Sequence, residues 1–381
     1  MPALTCGRAG AAGSVIAHAN GEENPSAPLF AQPRELWDHA LSPLTGCRVP
    51  MTAVPPNAPA SPLRRRLLKA AVLAPTVAAL ASLPGCSLPE QVDGTFLQPW
   101  LDHQNWSAAD WQRSMKLAQR AGCRDLVVQW SGILGGAEGD WQLSEASFGM
   151  LFNAADHAGI NVRVGLPFEQ RWWKAISGDQ TELQAFLDES LQRARTWLSQ
   201  STLTRQRRFA GWYLPYELEQ YHWADPARSQ LLVGWLRGLQ QAAVARGGDC
   251  AISTYFSRLP TEGNLVALWQ NVLDGTTLRP MVQDGIGVAG ADNHLALAPL
   301  LALFKQRGVA FDAIVELFHE LPMIGGDGTQ FQGVSADFER VQQQLEWARN
   351  NGAAKVLVYA LEPWLTQDTP QAQALRRAWR L

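Results

Sequence analysis

From Gly94 to Leu381 the chain alternates eight times between a short apolar run and a longer segment whose apolar residues recur at helical spacing, and that rhythm admits few folds. The apolar runs are Gly94–Gln98, Asp125–Trp130, Asn161–Leu166, the stretch from Phe209, Cys250–Phe256, Pro280–Asp284, Phe311–Phe318 and Lys355–Leu361. Most are continuously hydrophobic, as strands covered on both faces of a parallel sheet must be. Between them, Ser107 opens a helix with Trp111, Met115 and Ala118 on one face and Gly122 behind it. Further helices are expected near 144–158, 180–200, 262–273 and 293–307, and over Phe338, Val341, Leu345 and Ala348. Asp225-Pro226 and Thr369-Pro370 each open one more, a cap followed by a proline whose missing N–H is no loss in the first turn. Eight such units in about 290 residues predict a single (β/α)8 TIM barrel over 87–381, with an open doubly wound sheet as the alternative. No dinucleotide fingerprint follows the first run, and glycine-rich Gly132–Gly139 does not lead into a helix and reads as a loop.

Upstream of that rhythm the composition changes. Residues 1–50 are rich in Ala, Pro and Gly without a sustained period and are expected to be unstructured, with Met51 read as the biological start. Residues 51–86 have the order of an export signal: Arg64-Arg-Arg-Leu-Leu-Lys69, an apolar run from Ala70 to Leu83, then Leu83-Pro-Gly-Cys86. The apolar run is shorter than the roughly 20 residues a membrane-spanning helix needs. The basic cluster resembles a twin-arginine signal, and Leu83 to Cys86 resembles a bacterial lipobox. That resemblance implies lipidation at Cys86 and a lipid-anchored protein at the periplasmic face of a bacterial membrane, the outer membrane above all. From Cys86 onward the chain carries 25 Lys+Arg and 31 Asp+Glu, a net charge of −6, which argues against a nucleic-acid partner. Cys123 and Cys250 show no metal-ligand spacing and read as buried free thiols, with a disulfide between them as the alternative.

In a barrel of this kind the C-terminal ends of the strands share one mouth. Those ends supply Gln98, Trp100, Gln129, Trp130, Glu169, Glu217, Tyr255, Gln283, Asp284, Glu316, Tyr359, Glu362 and Trp364. Carboxylates and amides hydrogen-bond hydroxyl groups, and indole faces pack on the C–H faces of sugar rings, so a carbohydrate ligand suits the lining. The 16 Trp beside 5 Tyr strengthen that expectation. Trp111, Trp141, Trp197, Trp235 and Trp347 fall in helices or their approaches and are expected to pack, whereas Trp172, Trp173 and Trp223 join those at strand ends as candidate platforms. No His-Glu-x-x-His spacing and no Gly-x-Ser-x-Gly elbow occurs, so neither a metal, another cofactor nor a serine nucleophile is expected. Glu217, presented after a run that breaks at Pro215, and Glu316, inside Phe311–Phe318, form the candidate acid/base pair.

The set Thr95–Trp100, Leu126–Trp130, Gly211–Glu217, Val282–Asp284, Val315–Phe318 and Tyr359–Trp364 resembles an uncharacterised family, a domain of unknown function, of bacterial glycoside-hydrolase-like barrels that are often lipoproteins. A Glu after the fourth strand and a Glu on the seventh is similar to the retaining clan of barrel glycosidases. The resemblance implies Glu217 as acid/base and Glu316 as nucleophile. That clan usually places Asn before the acid/base, where Tyr216 stands here, so Glu219 is a rival for the role. Glu217 is expected to be held protonated by burial and neighbouring charge, and Glu316 ionised by a hydrogen bond from Tyr255 or Gln283. Two functions follow: a retaining glycoside hydrolase acting on a polysaccharide or oligosaccharide, or a non-catalytic glycan-binding barrel serving polysaccharide export or assembly. Retention requires carboxyl groups about 5–5.5 Å apart, and an inverting enzyme a wider gap.

Overall fold

Each apolar run is a strand of one closed parallel sheet: β1 (Gly94–Leu97), β2 (Asp125–Val128), β3 (Asn161–Gly165), β4 (Phe209–Leu218), β5 (Cys250–Thr254), β6 (Arg279–Gln283), β7 (Asp312–Glu316) and β8 (Lys355–Tyr359). The computed structural model describes residues 91–136, 139–321 and 332–381; Cys86 and the whole expected export segment lie outside them. Strands adjacent in the chain are adjacent in the barrel. Closure comes from β1, which pairs with β2 through Gly94↔Asp125 and with β8 through Thr95↔Val358. The open sheet is therefore excluded.

Among the described residues, eight helices of nine residues or more cover the outside: α1 (Ala108–Arg120), α2 (Glu145–Ala158), α3 (Gln180–Gln200), α4 (Pro226–Val244), α5 (Leu265–Gly275), α6 (Asn293–Arg307), α7 (Phe338–Asn350) and α8 (Pro370–Ala378). Except for α6, their starts are written in side chains that satisfy orphan N–H groups. Ser107 and Asp110 form a capping box on α1, Asp179 and Glu182 another on α3, and Asp225 and Thr369 cap α4 and α8 ahead of their prolines. Among the described residues no helix is long and apolar enough to cross a membrane.

The barrel interior is aromatic at mid-height, where Phe96 meets Tyr213 edge-on at 5.5 Å and Tyr359 at 5.8 Å. The opposite, N-terminal face is tied by ions. Arg279 on β6 pairs with Asp312 on β7, and Lys355 on β8 reaches Asp125 on β2 at 2.7 Å across β1. Just before β1, the Asp93 carboxylate accepts the Val356 N–H at 2.7 Å and faces Arg349. Cys123 and Cys250 are buried free thiols, each pushed up to about 12 by burial.

At the mouth two small sheets extend the loops. Gly132–Leu134 pairs with Trp141–Gln142 and Phe168–Glu169, and Phe318–Glu320 pairs with Gly333–Ser335. Gly132–Gly139 is thus partly a strand, not wholly a loop. Strand β4 also departs from expectation: it does not end at Pro215. Its ladder with β5 slips between Leu214 and Glu217, so that Leu214↔Ile252 is followed directly by Glu217↔Ser253. Pro215 has no N–H to donate, and the two residues bulged out there keep the strand running to Leu218.

Candidate functional site

The bulge places Glu217 on the inner side of β4. Tyr213 points inward, with its hydroxyl 2.7 Å from Ser253 Oγ on β5. Two steps on, past Pro215, Glu217 takes the same side, while Tyr216 points outward onto Trp172 and Trp235. Glu217 is 4% exposed; Gln283 Nε2, from the end of β6, donates to its Oε1 at 2.7 Å, and its Oε2 is buried without a hydrogen-bond partner. Desolvation pushes its pKa up to about 8, against the opposing pull of Gln283. At neutral pH this carboxyl holds its proton.

Glu316, at the end of β7, is 1% exposed. Its Oε2 accepts the Gly287 N–H at 2.6 Å, from the short helix Ile286–Ala289 that follows β6. Glycine is required there by proximity: a Cβ on Gly287 would lie 2.5 Å from the Phe318 carbonyl oxygen and 2.8 Å from Glu316 Oε2. Burial first, then the charge of Asp284 and, more weakly, that of Glu217, hold Glu316 well above the ordinary carboxylate range, while the Gly287 N–H and Arg340 pull it down. The shift of Glu217, by contrast, comes from burial, with no contribution from Glu316.

The expected partners of Glu316 are redistributed. Gln283 serves Glu217 instead, and the donor to Glu316 is a backbone N–H. Asp284, fully buried, does not line an open surface. Its Oδ1 accepts the backbone N–H groups of Ile286 and Glu316, both at 3.3 Å, and its Oδ2 accepts Gln344 Nε2 at 2.5 Å. Burial raises its pKa to about 6, against the pull of Gln344. It orders the backbone on which Glu316 sits. Arg340 on α7 donates to the carbonyls of Glu316 and Phe318.

The other strand-end residues divide. Tyr359 donates to Gln129 Oε1 at 3.0 Å inside the barrel, and burial together with Glu217 holds the phenol well above its usual range. Tyr255 is half-buried, and desolvation first, then Glu219 and Glu217, hold its phenol well above the usual range. Gln98 is 8% exposed, with Nε2 lacking a hydrogen-bond partner. Trp100 is half-buried, edge-on to Trp130 at 5.6 Å. Trp130 itself is sealed at 0% exposure with its Nε1 on the Pro99 carbonyl at 2.7 Å, so it is core and no platform. Trp364 is also sealed, at 2%, against Phe318. Trp172 and Trp223 join a buried aromatic cluster with Tyr216 and Trp235, whereas Trp173 stays half-buried. Glu362 turns away from the mouth to accept from Ser114 on α1 at 3.2 Å, and burial raises it to about 7. Glu219 spends both oxygens on its own turn, accepting from the N–H groups of Tyr221 and His222 and meeting the His222 ring.

Gly287, Arg340 and Gln344 escaped the sequence reading. Gln344 had a signal: it occupies the same face of α7 as Val341, Leu345 and Ala348, a buried amide in the middle of an apolar stripe. For Gly287 the sequence carries none, because its need follows from a contact with β7.

A family model described as "Domain of unknown function (DUF4434)" matches residues 92–374. The "Uncharacterized protein YbcH" of Escherichia coli (strain K12) is 26% identical over 203 residues, covering 51% of this chain and 65% of that protein, less than two thirds of its length. The crystal structure of a "putative alpha-L-fucosidase" from Bacteroides thetaiotaomicron VPI-5482 matches with a TM-score of 0.54 at 16% identity, over 76% of this chain and 95% of that one. At that identity the likeness shows the barrel alone.

Proposed function

The chain belongs to the DUF4434 family, and from that premise we propose that the barrel mouth is a retaining glycosidase site with Glu217 as acid/base and Glu316 as nucleophile. The observation that carries this reading is the pair itself: two buried carboxyls at the ends of β4 and β7, with Gln283, from one of the two strands between them, bonded to Glu217. Glu217, up to about 8, gives its proton to the glycosidic oxygen as the C–O bond breaks. Glu316 must first lose its proton, toward which the Gly287 N–H and Arg340 pull it against burial and Asp284; as the anion it then bonds to the anomeric carbon. Water, deprotonated by Glu217, then displaces Glu316 and restores both groups. Gln98, Gln129, Gln283, Tyr255 and Tyr359 hydrogen-bond the sugar, with Trp100 as the stacking face. Residues 51–86 act as the export signal and Cys86 as the lipid anchor, putting the barrel over 87–381 at the periplasmic face of the membrane; the support is the Arg-rich, apolar, Leu-x-Gly-Cys order.

One observation favours the second reading, a glycan-binding barrel that does not turn over. Burial and Asp284 favour the protonated form of Glu316, which is no nucleophile. The experiment that separates the two incubates the purified barrel with a polysaccharide panel. Under the glycosidase reading, Glu217→Gln and Glu316→Gln each remove most activity while the fold is kept. Azide then rescues Glu217→Ala on an activated substrate with retained stereochemistry and Glu316→Ala with inverted stereochemistry. Full activity in either Gln variant removes that residue from its role, and binding without turnover across the panel leaves the second reading.

A further inference from the structure

A cleft of about 400 Å3 opens on the outer wall of the barrel between α3 and the small sheet above β2 and β3, within the roughly 300–1,000 Å3 typical of small-molecule sites. Gln142 and Glu169 contribute from the sheet, and Arg193, Thr196 and Trp197 from α3. Tyr216 closes the inner wall. Because Tyr216 points outward where Glu217 points inward, the backbone of β4 separates this cleft from the mouth.

The cleft is built, and one of its groups is incomplete. Glu169 is 2% exposed; its Oε2 receives Arg171 at 3.1 Å. Arg171 and Arg193 both reach Glu189, at 3.0 and 2.6 Å, so two carboxylates and two guanidinium groups form a closed ring. Glu169 Oε1 faces Arg193 Nη1 at 3.5 Å yet accepts no hydrogen bond. A buried carboxylate oxygen without a donor is costly, and a donor brought by a ligand removes that cost. Trp197 is fixed beside it, its Nε1 donating to Gln142 Oε1 at 3.0 Å and its ring set edge-on to Trp212. Asp140 and Glu169 against Arg193 leave little net charge on the lining, which disfavours an anion; amides, hydroxyls and an indole suit a neutral, hydroxyl-rich ligand.

We infer that this flank cleft binds one sugar unit of a neutral glycan, a hydroxyl donating to Glu169 Oε1 and the ring lying beside Trp197. Binding here needs no turnover at the mouth, so it stands or falls separately from the glycosidase reading. The test follows the indole N–H resonance of Trp197 in a heteronuclear correlation spectrum of the full chain, assigned by its disappearance in Trp197→Phe. D-glucose, D-galactose, D-mannose and L-fucose are titrated one at a time. At least one sugar is expected to shift that resonance saturably, in the wild type and equally in Glu217→Gln. Thr196→Trp, an exposed change that fills the cleft, and Glu169→Gln should each weaken the binding by about tenfold or more, the loss expected when a hydrogen bond to a charged acceptor goes. Thermal melts of both variants check the fold. A resonance that no sugar moves, that still titrates in Thr196→Trp, or that stops titrating in Glu217→Gln overturns the inference.

Discussion

Replacing Glu217 with Gln is expected to stabilise the protein, and increasingly so as the pH rises. The carboxyl ordinarily titrates at 4.5 and burial carries it to about 8. Between those values the folded protein holds a proton that the unfolded chain has released, so this one group lowers stability by about 1.4 kcal/mol per pH unit. Below about pH 4 both states are protonated and the contribution vanishes. At pH 7 it amounts to about 3 kcal/mol, and to no more than about 5 kcal/mol once the pH passes the folded value. Gln at this position keeps an acceptor oxygen for Gln283 Nε2 and cannot ionise, so the variant escapes the loss. The assay is urea unfolding of both proteins, followed by tryptophan fluorescence, at about pH 4, 5.5 and 7. The gap between them should open steadily with pH. Parallel profiles would mean that Glu217 is already ionised in the fold, and the assignment of a protonated acid would go with it.

Gly287→Ala forces a methyl group against the Phe318 carbonyl and Glu316, so calorimetry should show a loss of about 1–3 kcal/mol, whereas Gly149→Ala on α2, which meets open space, should gain about 0.5–1 kcal/mol. Asp284→Asn removes the carboxylate that raises Glu316 and gives Gln344 an amide to face; Glu316 should then titrate lower by carboxyl-selective infrared or NMR, at a cost of about 1–3 kcal/mol in denaturant. Mass spectrometry of membrane-extracted protein should find a lipidated Cys86 at the N-terminus; an unmodified terminus upstream of residue 80 refutes the anchor.

Strand and helix order was legible because it follows from local chemistry. Continuous apolar runs have one use in a chain with this many helices, and caps such as Ser107, Asp225 and Thr369 act within four residues of themselves. Pro215 misled because the missing N–H was read as an end, when a bulge lets a strand pass through it. The placement of Glu217 and Glu316 at the ends of two buried strands was legible from the apolar runs, but the direction of a residue just beyond a strand was not. Trp130 and Trp364 turned into the core and Glu362 toward α1, according to neighbours on other elements of the barrel. Gln283 could have met either carboxyl, since β6 runs beside β7 and one strand from β4. Only the closed barrel decides that it meets Glu217.

Asp93, held by the Val356 N–H and facing Arg349, fixes where the polypeptide arrives: on the face opposite the carboxyl pair. Any tether upstream of Gln91 therefore pulls on the floor of the molecule. A barrel held there, as the proposed anchor at Cys86 would hold it, carries its mouth on the side away from the point of attachment.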